Sequence, residues 1–307
     1  MSAGGTAGSS AGLGGTSGSA GSEEAGSAGT TDAAGSAGAS GSAGTSGAAG
    51  SGGSSGSAGA DGSAGCVDAG SGGSAGPSST LDKFSFFVTS QDAMRSLSGN
   101  DQGFGGDLRF GETGSGAGLR GADKICSAIA EKSMPGAGAK GWRAFLSATS
   151  DGRCGGGRID AIDRVGNGPW YDRLGRLVAA NPEALLNPRP GGADPAISDD
   201  LPDENGAPNR CATGKCLDNH DTLTGFVARE RALTLRDTCQ DWTSALPESG
   251  GPIVGHSWAS EAIPSWLQAH RNLGCAPGGT LLEELPSEPT VGSGGGYGGI
   301  YCFALVP

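Results

Sequence analysis

Hydrophobic and polar positions divide this chain into two stretches that read differently. Beyond Leu81 the apolar residues recur with the periods of regular structure. Lys83–Gln91 (KFSFFVTSQ) is rich in Phe and Val and predicts a strand. In Leu119–Met134, residues Ala122, Ile125, Cys126 and Ile129 share one helical face, and Pro135-Gly136 stops the helix. Gly141–Ala148 alternates Trp142, Ala144 and Leu146 against Arg143, Phe145 and Ser147, a strand pattern. Ile159–Val165 predicts a short helical turn, and Pro169–Ala180 two short strands around a turn near Leu174-Gly175. Thr238–Thr243, Pro252–Trp258 and Gly299–Val306 read as further strands. Asn100–Gly118 reads as loop. Asn181 to about Leu233 is a long polar loop, of a length that often marks function. Strand, helix, strand, long loop and late strands describe an α+β domain over 81–307.

Residues 1–80 show no such periodicity. They hold 26 of the 62 glycines and no aromatic residue, Lys, Arg or His, so they have almost nothing to bury. From Gly35 to Gly65 a glycine falls at every third position. A collagen triple helix needs that period together with abundant Pro, which this tract lacks. The tail is therefore expected to be a disordered, low-complexity Gly/Ser/Ala linker, spanning roughly 50 Å as a flexible coil. It shows neither a basic n-region nor an apolar h-region, and Ser63-Ala64-Gly65-Cys66 only faintly resembles a lipoprotein cleavage site. An export signal or lipid anchor encoded upstream is the expectation.

Charge and cysteines narrow the class. The net charge is −12, and the tail's five acids account for −5 of it. This disfavours nucleic acid, polyanions and anionic membranes as partners. No apolar run reaches transmembrane length. There are eight cysteines, no C-x-x-C pair and three histidines, so a zinc-finger spacing is absent and disulfides in an oxidising compartment fit. Spacing alone leaves the pairing open.

The motif Leu119-Arg120-Gly121-Ala122-Asp123-Lys124-Ile125-Cys126, followed by Trp142-Arg143-Ala144-Phe145-Leu146-Ser147, resembles the endostatin domain at the C-terminus of collagens XV and XVIII. Tyr171–Val178 looks like the hairpin that follows there. Thr238-Cys239-Gln240-Asp241-Trp242, Gly274-Cys275 and Tyr301-Cys302-Phe303 are similar to its later cysteine segments. The match covers about residues 83–306, with an insertion in the long loop, and the whole chain is similar to bacterial exported proteins that carry a Gly/Ser tail and one such domain. The resemblance implies a C-type lectin-like fold with nested disulfides, Cys126 to Cys302 and Cys239 to Cys275. Cys211 and Cys216 have no endostatin counterpart and are close enough in sequence to close a small loop; Cys66 and Cys154 are left unassigned. Endostatin's zinc ligands form an N-terminal histidine cluster that this chain lacks, and its heparin binding uses clustered arginines at odds with the acidic balance here.

Four sets of residues carry candidate chemistry. Asp199, Asp200, Asp203, Glu204 and Asn205 supply hard oxygen donors for Ca²⁺ in the long loop, or simply form a solvated acidic segment. His220, Asp221, His256 and His270 are candidate zinc or catalytic groups, or ordinary structural histidines; no H-x-x-x-H spacing joins them. Gly114–Gly118 matches the Gly-x-Ser-x-Gly pattern only loosely, and no catalytic residue is assigned. Trp142 and Trp242 are expected in the core, whereas Trp170, Tyr171, Trp258 and Tyr297 are candidate surface aromatics for ligand binding. The resulting expectation is a secreted or surface-tethered, monomeric, non-enzymatic binding module. Its partner would be an extracellular carbohydrate or protein, without a required cofactor. A secreted metal-dependent hydrolase and a structural surface protein are the competing classes.

Overall fold

Nine residues at the end of the chain organise the domain. In the computed structural model, which describes residues 83–153, 156–210, 217–259, 265–280 and 288–306, the strand β10 (Gly296–Ala304) is buried along its whole length. Its end pairs antiparallel with β1 (Phe86–Val88) on one side and β2 (Trp142–Ala144) on the other, with Cys302 opposite both Phe87 and Ala144. Its beginning pairs in parallel with β5 (Asp221–Leu223), which continues through β6 (Ile253–His256) to β7 (His270–Arg271). The described strands thus form one six-stranded mixed sheet and two small two-stranded ones, β3 (Trp170–Tyr171) with β4 (Leu177–Ala179) and β8 (Ala276–Gly279) with β9 (Thr290–Gly292).

Alternation along these strands feeds two cores, one on each face. Phe87, Trp142, Ala144, Ile300, Cys302 and Ala304 face the helix α2 (Ala117–Ser133) and its Leu119, Ala122, Ile125 and Ile129. Phe86, Val88, Phe145, Tyr301 and Phe303 face the opposite way, against Trp170, Val178, Leu185 and Trp266. This explains why the Gly141–Ala148 pattern alternates without a solvent face: apart from the half-buried Arg143, both sets are buried. Before α2 lies α1 (Gln91–Ser98), capped by the Ser90 hydroxyl accepting from the Ala93 N–H. A one-turn helix, α3 (Pro182–Leu185), is capped by Asn181.

Two bridges pin the late segments. Cys126–Cys302 joins α2 to β10, and Cys239–Cys275 closes the later loop, the two pairings implied by the endostatin resemblance. Each restricts the unfolded chain by about 2–4 kcal/mol. Cys66, Cys154 and the Cys211/Cys216 pair lie outside the described residues, as does the tail expected over 1–80.

Three sequence expectations are corrected. Thr238–Thr243 is not a strand: Cys239, Gln240, Asp241 and Trp242 have φ of 48°, 60°, 54° and 63°, a left-handed turn. Such a turn costs about 1–2 kcal/mol per residue and is held by tertiary hydrogen bonds that local pattern does not show. The Asp241 carboxylate accepts from the Thr149 N–H at 2.7 Å, its hydroxyl at 2.6 Å and the Thr238 hydroxyl at 3.0 Å. The Trp242 indole donates to the Ser147 carbonyl, and Gly118 of α2 permits the approach, since a Cβ there would lie 2.2 Å from the Asp241 oxygen. The expected long loop Asn181–Leu233 contains α3 and β5, the latter formed because β6 and β10 supply its hydrogen-bond partners. Trp170, Trp258 and Tyr297 are buried and are not surface aromatics. Trp170 packs edge-on against Phe303, and the Tyr297 hydroxyl, buried, donates to the Thr89 carbonyl.

Candidate metal centre

The chain has three histidines, and all three meet. The sheet register makes this happen. Asp221 on β5 sits opposite His256 on β6, and His270 on β7 sits opposite Val254. Val254 and His256 are two residues apart on one strand and so share a face, which gathers Asp221, His256 and His270 on it. His220 joins from the chain just before β5, held where the Ser257 N–H donates to its carbonyl at 2.7 Å.

The Asp221 carboxylate is the centre of the group. Its side chain is 0% exposed, and Oδ1 lies 3.4 Å from His220 Nε2, 3.4 Å from His256 Nε2 and 3.1 Å from His270 Nε2. Neither carboxylate oxygen has a geometrically satisfactory hydrogen bond. A buried carboxylate without donors is costly and is normally paired or bound to a metal. Metal–nitrogen and metal–oxygen bonds of about 2.0–2.1 Å in tetrahedral array put neighbouring donors about 3.3–3.4 Å apart. Two of the three observed distances, both 3.4 Å, match that edge, and the third, to His270 at 3.1 Å, is slightly shorter. All four candidate ligand atoms fall within 4.8 Å of one another.

The surroundings orient the donors. His220 Nδ1 pairs with Asp218 Oδ1 at 2.7 Å, which aims Nε2 at Asp221 in the carboxylate–histidine arrangement common behind metal ligands. Trp258, 8% exposed, stacks edge-on against the His220 ring, carries Arg210 over its own face and donates its indole N–H to Asn219. Burial works against the charged form of His220, but the Asp218 hydrogen bond and the Asp221 charge outweigh it and raise its pKa. At His270 the close approach of Nε2 to the Asp221 carboxylate, at 3.1 Å, outweighs burial and raises the pKa in the same direction. The field at the site therefore favours positive charge.

A tight turn roofs the group. The Gly295 carbonyl accepts from the Asp221 N–H at 2.9 Å. A Cβ on Gly294 would lie 2.3 Å from His270 Cε1, 2.4 Å from Asp221 Oδ2 and 2.5 Å from Asn272 Oδ1. The Gly292–Gly299 segment is thus packed on the histidines, with Gly294 at the place where no side chain fits. Three imidazoles and one carboxylate suit zinc and neighbouring transition metals, whereas Ca²⁺ takes six to eight oxygens.

The other candidate residues lie elsewhere. Asp203 Oδ1 accepts from the Asn205 and Ala207 N–H groups, and Asp200 Oδ1 from those of Asn209 and Arg210. Glu204 is 6% exposed and accepts from both the N–H and the hydroxyl of Ser90. Asp199 and Asn205 are exposed. Among the described residues these five do not join a metal-ligating group. Trp170, Tyr171, Trp258 and Tyr297 do not form one surface: Trp170 and Tyr297 are interior, Tyr171 is half-buried on the β3–β4 hairpin, and Trp258 walls the histidine group. Sequence reasoning listed all four members of the metal group but did not find Asn272, Gly294 or Gly295. The adjacency Asp218-Asn219-His220-Asp221 is the one local signal that pointed there.

No helix among the described residues is long and apolar enough to cross a membrane. The chain matches no family model, no curated protein and no solved structure.

Proposed function

We propose that the C-terminal domain is a metal-dependent recognition module, in which one zinc-class divalent ion ties β5, β6 and β7 into a rigid unit beneath the 292–296 turn. The buried Asp221 carboxylate, with three imidazole nitrogens at 3.1–3.4 Å and no hydrogen-bond donor of proper geometry, carries this reading. With a metal bound, the buried charge is compensated and three strands share one anchor; the ion's binding energy adds directly to folding stability. We assign the domain an endostatin-like, C-type lectin-like fold. Support comes from the two disulfide pairings and from the R-G-A-D helix lying against the R-A-F-L-S strand, where Asp123 accepts from the Ala144 N–H. The disulfides fit an extracellular setting. In that setting the domain, on its Gly/Ser tether, would recognise a carbohydrate or protein.

The test is metal analysis of the purified chain by inductively coupled plasma mass spectrometry, beside Asp221→Asn. One equivalent of zinc per chain in the wild type and a loss of at least tenfold in affinity in the variant is the expected result. Wild-type protein that neither retains nor takes up zinc, cobalt or nickel would overturn the reading. A glycan array run with and without chelator then tests recognition.

A further inference from the structure

Beside the ligand group lie two buried acceptors that none of the four ligands satisfies. Asp221 Oδ2 and Asn272 Oδ1 are both buried without a hydrogen-bond partner, and Asn272 is 3% exposed. Asn272 cannot turn its amide to help, because its Nδ2 donates to the Val291 carbonyl. The two oxygens lie 2.4 and 2.5 Å from one point, the Cβ position of Gly294, so they are less than about 5 Å apart. One water donating both protons, its O–H bonds about 105° apart, spans acceptors separated by up to about 4.7 Å. Of the nearby side chains, His270 offers its Nε2 towards Asp221 Oδ1, not towards these two atoms.

We infer that the metal keeps one coordination position for a water molecule, whose two protons go to Asp221 Oδ2 and Asn272 Oδ1. This rests on the metal reading above. A metal-bound water is a strongly polarised donor with two protons, and the site presents two donorless acceptors. The inference changes the class of the centre. Four protein ligands alone make a closed structural site, whereas a fifth, exchangeable position makes one that small oxygen donors and anions reach. Asn272 is then a positioning residue that touches the bound water. The partly exposed His270, whose side chain is 30% exposed, marks the edge by which water exchanges.

The experiment uses the full chain loaded with Co²⁺, whose visible spectrum separates four- from five-coordinate sites, with azide as the probe anion. The wild type is expected to give the weaker five-coordinate bands and a saturable spectral change with azide. Asn272→Leu should shift the spectrum towards four-coordinate and weaken the azide response about tenfold or more. Thermal melting and intact disulfides in the variant establish that the fold is kept. A wild-type spectrum that is four-coordinate, unmoved by azide and identical in Asn272→Leu would overturn the inference while leaving the metal centre standing. Failure to bind cobalt at all would overturn the metal reading itself.

Discussion

Gly294→Ala isolates the metal centre from the rest of the fold. The Gly294 backbone does not occupy the left-handed region, so alanine is allowed there conformationally. The added methyl would meet His270 Cε1 at 2.3 Å, Asp221 Oδ2 at 2.4 Å and Asn272 Oδ1 at 2.5 Å, well inside contact distance. Relieving three such contacts requires the imidazole and the carboxylate to retreat by the better part of an ångström. Without metal they can shift, because the carboxylate is held only by imidazole contacts of 3.1–3.4 Å and by no well-formed hydrogen bond. With metal they are bound to one ion and cannot. Overpacking of this kind costs about 1–3 kcal/mol, and here the cost falls on the metal-loaded state. The affinity should therefore drop about 5- to 150-fold. Competition against a chromophoric zinc chelator measures it, with thermal melting of the metal-free protein as the fold control. Gly157→Ala serves as a neutral comparison, since its Cβ would meet nothing within 4 Å. Zinc affinity unchanged in Gly294→Ala would refute the placement of the ion beneath the turn.

Three more outcomes are expected. Chelation of the metal-loaded protein removes about 2.7 kcal/mol at free zinc one hundred times Kd, which is about 5–11 °C in Tm for a domain of this size; a Tm insensitive to chelator would count against the anchor role. Trp170→Ala should cost about 3–5 kcal/mol in urea unfolding while leaving metal stoichiometry at the wild-type value, because Trp170 is buried against Phe303 rather than presented to a ligand. Burial raises the Glu204 pKa above 4.5 despite its hydrogen bonds from Ser90. The protonated form is thus favoured in the fold, and the stabilisation it contributes is present below the unfolded pKa and lost as pH rises through the folded one. The stability of Glu204→Gln relative to wild type should accordingly improve between pH 4 and pH 7, and a flat difference would contradict that sign.

Periodicity made the central layers readable. The helical spacing of Ala122, Ile125, Cys126 and Ile129 located α2 within two residues of its observed start, alternation located β2, and the apolar run Gly299–Val306 located most of β10. These elements bury a repeating face, so their pattern is written locally. The segment Thr238–Thr243 misled because β-prone residues there are held in a left-handed turn by hydrogen bonds between Asp241 and Thr149 and from the Trp242 indole to Ser147, partners far away in sequence. Strand β5 was invisible for a related reason. Three residues in a polar stretch have no period, and they become a strand only because β6 and β10 flank them.

The sequence by itself determined that a Gly-rich segment without aromatic or basic residues precedes an acidic, cysteine-bearing α+β domain. It also supplied three histidines and one neighbouring aspartate as the chemistry available for a borderline-soft metal. Only the tertiary structure decided that these four converge. Convergence depends on sheet register, which sets Asp221 against His256 and carries His270 to the same face, and on a turn whose Gly294 leaves no side chain in the way. Register is fixed by the burial of both faces of the sheet, a property of the whole packed domain that no local window of sequence contains.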